Sequence, residues 1–208
     1  MIWPGEEKAW DLLAKLNPKS TETRTGVTFN SESSMYELKC LAQDIHISLK
    51  DREITASSET GKFIVNDLGE YSRLPILSYL LTAKDLPLSG ELVRPADLSG
   101  GGIFVRGTHV LPLDEIAETF GHDHELFLSI GKTLGASVLD YGDVSLELSA
   151  FPRIPVILIV WAGDDDFPAK VSLLFDSTCT LQLPIDILWS TAMMTVLTVL
   201  KFNSAIEQ

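Results

Sequence analysis

The chain has 208 residues, 45% of them hydrophobic, and carries 29 acidic against 16 basic side chains, a formal net charge of -13. That length and apolar content suffice for one domain, residues 1–208, with a sizeable core, and no low-complexity stretch divides it. The acidic balance argues against a phosphate-backbone partner, whose affinity would rest on Lys and Arg, and equally against an anionic membrane surface; the partners to expect are neither nucleic acid nor membrane.

The opening Met1-Ile2-Trp3-Pro4-Gly5-Glu6-Glu7-Lys8 lacks a positive segment followed by an apolar one, so a cytoplasmic protein is expected. Cys40 and Cys179 lie far apart and outside any Cys-x-x-Cys pair, which predicts two reduced, buried thiols rather than a disulfide scaffold or an iron–sulfur motif.

Taken in chain order, Glu6 to Leu16 places Trp10, Leu13 and Ala14 at helical spacing, with acids in the first turn and Pro18 just beyond the end. Residues 20–34, rich in Ser, Thr, Asn and Gly, read as a connection. Met35–Cys40 and Asp44–Lys50 read as two short strands joined by a tight turn. Leu74 to Ala83 is apolar on most sides, and Pro75 sits near the start of the helix this predicts. Pro112–Phe120 and Asp123–Leu134 predict two more helices, punctuated by Gly121 and Gly135.

Val138–Tyr141 and Val144–Leu148 read as strands around the turn Gly142-Asp143. Ile154–Trp161 is almost uninterrupted β-branched and apolar sequence, whereas Val171, Leu173 and Phe175 alternate with Lys170, Ser172 and Asp176. The first pattern suits a strand covered on both faces and the second a half-buried one, so the two form a hairpin inside an antiparallel meander. The apolar run Ile187–Leu200 is too short for a membrane span and is interrupted by Thr191, Thr195 and Thr198. With Pro184 opening it and Ile185, Leu188, Trp189, Ala192, Val196, Val199 and Leu200 on one stripe, it predicts a long C-terminal helix covering the sheet. Strands and helices are segregated along the chain: the fold class is α+β, an antiparallel meander packed against several helices.

Leu86-Pro87-Leu88-Ser89-Gly90-Glu91, Leu98-Ser99-Gly100-Gly101, Pro112-Leu113 before Phe120-Gly121, Gly142-Asp143, Phe151-Pro152-Arg153-Ile154-Pro155, Trp161-Ala162-Gly163-Asp164, Phe167-Pro168-Ala169 and Leu174-Phe175-Asp176 occur in this order. On these motifs the chain, from about Glu70 onward, resembles domain of unknown function 3786. The resemblance implies an uncharacterised cytoplasmic protein of anaerobic bacteria or archaea; some relatives carry an added iron–sulfur domain, which this chain does not show. Relatives tend to have His where Ser78 stands and Arg where Ala96 stands, a departure that implies an altered or lost activity if those groups act in relatives.

Three clusters are candidates for chemistry. The carboxylates Asp164 and Asp166, with Asp165 between them, offer oxygen ligands to a hard divalent cation, or simply form a solvated hairpin tip. His122 and His124 can share a metal only from a loop, since on a helix their i, i+2 spacing points them apart; otherwise they charge and cap a helix start. Gly100, Gly101 and Gly102, flanked by Arg94 and Arg106, can cradle an anion with bare backbone amides, or form a turn. His46 and His109 stand alone. Gly131-Lys132-Thr133 lacks the upstream glycine of a phosphate loop, because Leu126 occupies that position.

Arg153 is launched from backbone stiffened by Pro152 and Pro155 and calls for a fixed carboxylate partner, with Asp143, Asp176 and Glu91 as candidates; alternatively it lines an anion pocket with Arg94 or the glycine loop. Two functions follow. The first is a ligand- or partner-binding accessory protein of anaerobic metabolism, taking a small anionic ligand or a protein partner through Arg153, Arg94, Gly100, Gly101, Asp143 and Asp176. The second is a metal-dependent enzyme built on residues 164–166 or on His122 and His124. No sequence feature names a cofactor.

Overall fold

The computed structural model describes residues 5–104 and 110–206, with the side chains of residues 203–206 outside the description. Arg106 and His109 fall outside the described residues. The helices are α1 (Glu6–Leu13), α2 (Pro18–Thr25), α3 (Glu59–Lys62), α4 (Gly69–Thr82), α5 (Leu113–Phe120), α6 (His124–Thr133), α7 (Cys179–Gln182) and α8 (Ile185–Ile206). The strands are β1 (Thr28–Asn30), β2 (Met35–Cys40), β3 (Gln43–Ser48), β4 (Glu53–Ala56), β5 (Leu92–Val93), β6 (Ser137–Leu139), β7 (Val144–Phe151), β8 (Ile154–Trp161) and β9 (Lys170–Asp176). They form two antiparallel sheets, of order β1-β2-β3-β4 and β5-β9-β8-β7-β6. The class is α+β, as the segregated patterns predict.

The meander is where the sequence places it. β8 pairs with β9 from Val156↔Phe175 to Trp161↔Lys170 and with β7 from Val144↔Val160 onward. Ile154 to Val160 are all buried, while β9 alternates, as a one-sided strand must. The Gly142-Asp143 turn folds back on β8: the Asp143 N–H donates to Val160 O at 3.0 Å and its Oδ2 accepts from Ala162 N at 2.7 Å.

The segment 20–34 is not a plain connection. Asn17 caps α2 by accepting from Ser20 N at 3.2 Å, Pro18 occupies the first helical turn, and Gly26 ends the helix at φ +75°. Start and stop signals outweighed a Ser/Thr-rich composition, and β1 follows at once. Nor is Pro75 an early residue: α4 begins six residues before it, at Gly69, after a π-helical turn at Phe63–Asp67. The part of α4 before Pro75 is held by tertiary contacts, with Ser72 Oγ donating to Ile64 O at 2.6 Å and Arg73 paired to the fully buried Glu6 at 2.7 Å. Packing overrides the local preference of proline for the first turn.

β2 and β3 join through Leu41 and Ala42, both at positive φ (48° and 62°), a strained choice for side chains other than glycine. Leu41 is fully buried and its N–H donates to Ser149 O of β7 at 2.9 Å, so contact with the second sheet holds the turn.

α8 runs longer than the apolar stretch read from the sequence: Ile185–Phe202 is an 18-residue window of mean hydropathy 1.4, long and apolar enough to cross a membrane by length and composition. Here it packs against α4, α5 and β7, and Met194 Sδ lies 3.9 Å from Cys40 Sγ of β2. Its buried hydroxyls of Thr191, Thr195 and Thr198 return hydrogen bonds to the carbonyls of Ile187, Thr191 and Met194 at 2.7–2.8 Å, which removes the cost of burying them.

Replacing Ile157 with Asp places an unpaired charge at a fully buried position of the central strand. The expected loss is about 4 kcal/mol or more, at the large end of single-site effects, and urea unfolding measures it. An unchanged midpoint contradicts this account of β8.

Candidate functional site

β9 is an edge strand for most of its length. β5 pairs with it only through Leu92↔Asp176 and Val93↔Phe175, so Lys170 to Leu174 have β8 on one side and, among the described residues, no strand on the other. The chain leaves β5 through Arg94, makes two short 3-10 turns at Pro95–Asp97 and Gly101–Phe104, and enters α5 at Leu113. Between this wall and β9 lies a groove of about 440 Å³. Phe104, Leu111, Leu113, Val171 and Leu173 make it apolar; Arg94, Asp114 and Lys170 bring charge. Arg94 follows the residue paired with Phe175 and Lys170 opens β9, so the two cations flank about 13–15 Å of strand.

Lys170 makes no ion pair among the described residues, whereas the Arg94 guanidinium is bonded to Asp97 through Nε at 2.8 Å and Nη2 at 3.1 Å. Ala96 also lines the groove. A larger hollow of about 770 Å³ beside β4 and α4 includes Arg73, which is already committed to Glu6.

The glycine loop shapes the wall of this groove. A Cβ at Gly101 would stand 2.0 Å from Pro95 O, so only glycine lets the two 3-10 turns close on each other. The Gly101 N–H donates to Leu98 O at 2.8 Å and so does not face a ligand. Gly100 is at φ +81° and packs against Ile185 of α8.

Asp176 fixes the mouth of β5. Its carboxylate accepts from the Ser89 and Gly90 N–H groups at 3.2 and 2.8 Å, from Ser89 Oγ at 3.0 Å, and from Thr178 N and Oγ1 at 2.9 and 2.6 Å. Burial alone would raise its pKa; the hydrogen bonds from Thr178, Ser89 and Gly90 outweigh burial and hold it at about 2.

Arg153 finds a carboxylate, but not one of those expected. The ion pair is with Asp85 at 2.5 Å, while Asp143 and Asp176 are engaged as described. Its Nε donates to Arg24 O at 2.7 Å, Nη1 to Leu86 O at 3.1 Å and Nη2 to Thr23 O at 3.4 Å. These contacts commit it to the α2 terminus and the loop after α4. Arg153 is not among the residues lining the β9 groove, so the structure does not bring it together with Arg94.

The metal candidates do not converge. Asp164 Oδ1 accepts from the N–H groups of Asp166 and Phe167 at 2.9 and 2.7 Å, a self-contained turn at the hairpin tip with Asp165 and Asp166 in solvent. Asp123 caps α6 by accepting from Leu126 N at 2.9 Å, which puts His124 on the helix and leaves His122 exposed before it. The His124 Nε2 is shielded and has no hydrogen-bond partner among the described residues. No group of three or more His, Cys, Asp or Glu among the described residues has metal-holding geometry.

Sequence reasoning missed Lys170, Phe104, Leu111 and Leu113 because the groove is assembled from separated segments, and it missed Asp85, which lies one residue before the Leu86-Pro87 motif. Fold and groove define an α+β protein with two antiparallel sheets and a recessed edge strand. The chain belongs to the DUF3786 family (domain of unknown function), whose model matches residues 17–198; α2 and the first sheet are therefore part of the family unit along with the stretch from Glu70. No curated protein and no solved structure matches it.

Two outcomes follow. Because the Asp176 carboxyl is held below its ordinary value near 3.9, the stability it contributes is complete above about pH 4 and is lost as the pH falls through about 2. Asp176→Asn should lower the melting temperature at pH 7 and flatten the pH dependence of stability between about 4 and 2; an unaltered profile contradicts the assignment. Arg153→Lys, which cannot span three carbonyls and a carboxylate, should cost about 2–3 kcal/mol in chemical denaturation, and equal stability of the two proteins would show the fork to be dispensable.

Proposed function

We propose that the protein is a cytoplasmic binding protein, an accessory of anaerobic metabolism in keeping with its family resemblance, that takes a ligand with an apolar body and an anionic group in the β9 groove. The observation that carries this reading is the pairing of apolar walls with Lys170, a cation without an ion-pair partner among the described residues. Apolar area supplies the affinity and the ammonium selects the anion. Arg94, held by Asp97, frames the far end as a second positive charge. Two buried, unpaired cysteines suit a reducing compartment: burial pushes Cys179 up to about 11 and Cys40 higher still, so neither acts as a ready thiolate.

Hexanoate, followed by calorimetric titration and by amide shifts of residues 170–173, should bind where hexanamide binds at least about tenfold more weakly. Lys170→Glu should abolish that preference without lowering the melting temperature. Equal response to acid and amide, or shifts confined to other parts of the chain, contradicts the reading.

A further inference from the structure

The backbone of β9 restricts what the groove accepts. The Ser177 N–H donates to Glu91 O at 2.8 Å, continuing the β5–β9 ladder past Leu92↔Asp176 and Val93↔Phe175. In an antiparallel ladder the N–H and C=O of alternate residues point to the same side. Ser177 and Phe175 therefore address β5, and the phase carries on to Leu173 and Val171, since the β8–β9 register runs without a bulge from Lys170 to Phe175. Past the end of β5 the main-chain groups of Val171 and Leu173 point into the groove, with no backbone partner among the described residues.

The residues themselves are 8% and 3% exposed, so the groove is the one side from which a partner can reach these polar groups. An orphan donor and acceptor pair repeated at every second residue along a strand matches the edge of another extended backbone, and a small anion cannot answer that pattern. The recess also decides between occupants. Leu111, Leu113 and the 3-10 turn at Pro95–Asp97 stand beside the edge, which favours a single narrow segment over the broad sheet of a second copy, and two copies at net charge -13 repel.

We propose that the ligand of the groove is a short extended segment of a partner protein that adds a strand to β9, alternating apolar residues toward the groove walls and setting a carboxylate beside Lys170. This deepens the binding role proposed above and rests on it. Main-chain hydrogen bonds to Val171 and Leu173 provide register, Leu113 and Phe104 select apolar side chains, and Lys170 selects the acidic end.

The test uses the full chain and a fluorescein-labelled peptide, Thr-Val-Thr-Leu-Glu with a free C-terminal carboxylate, with two analogues N-methylated on alternate residues in opposite phases. Strand addition predicts that one phase weakens binding at least about tenfold while the other changes it less than about threefold, because only alternate N–H groups face β9. Lys170→Glu should weaken the acid peptide and leave its C-terminal amide, with Gln for Glu, unaffected. Equal binding of both N-methylated peptides, or binding of hexanoate without the peptide, overturns strand addition and leaves the apolar-anion groove standing. Binding of neither probe overturns both, and a dimer in light scattering whose Val171 and Leu173 amides are protected without peptide would assign the edge to a second copy instead.

Discussion

The guanidinium of Arg153 joins parts of the chain that folding must bring together from more than a hundred residues apart. It leaves the start of the central strand β8, reaches the last turn of α2 through the carbonyls of Thr23 and Arg24, and closes on Leu86 O and Asp85 in the loop after α4. Those carbonyls are the orphans that a helix C-terminus leaves, and a cation is the favoured partner there. Arg24 repeats the device one step on, donating to Leu80 O and Ala83 O at the end of α4. Behind both arginines Tyr79 stacks on Phe151 with centroids 4.9 Å apart and donates to Thr25 O at 2.7 Å, its phenol pushed well above its usual range by burial. Helix ends, loop and strand thus share one polar network beside stacked aromatic rings.

The position of the groove follows from that network. With Leu86 and Asp85 pinned by Arg153, the next residues meet Asp176, whose carboxylate gathers the Ser89 and Gly90 N–H groups and delivers the chain into β5. β5 then runs for only two residues before Pro95, which has no N–H to continue a ladder, sends the chain into a 3-10 turn. β9 is left with a bare stretch between Lys170 and Leu174. An exposed edge of this kind is ordinarily blunted by charge or cover; here, among the described residues, it faces the apolar side chains of Phe104, Leu111 and Leu113 across the groove. A short β5 and a closed glycine turn at Gly101 are therefore causes of the cavity and not incidental to it.

Much of the fold was legible in the sequence, and the reasons are specific. β8 and β9 announce themselves by continuous against alternating apolar residues, and α5 and α6 by caps and glycines, because those signals are local. α2 was hidden because its Ser- and Thr-rich body reads as coil unless the Asn17-Pro18 start and the Gly26 stop are given priority. The full length of α4 was hidden because Pro75 suggests a beginning, while the contacts that extend the helix backward, Glu6 with Arg73 and Ser72 with Ile64, are long-range. The candidate site was legible only in part. Arg94, Gly101 and Asp176 border the groove or hold its frame, but Lys170 looks like the polar phase of a strand, and nothing local shows that β5 ends before it can cover β9. Arg153 was correctly read as a cation with a fixed partner, and the partner was missed because Asp85 precedes the segment whose pattern drew attention.

The bare edge is the claim on which the functional account stands, and amide hydrogen exchange of the ligand-free protein tests it without assuming any ligand. Leu173 and Phe175 lie two residues apart on one strand, are both buried and point the same way; among the described residues only Phe175 has a strand opposite on that side. The account predicts that the Val171 and Leu173 amides exchange at least about tenfold faster than those of Phe175 and Ser172, under conditions where the β8 amides remain protected. Uniform protection along Lys170 to Asp176 would mean that the edge is already paired, and would contradict it.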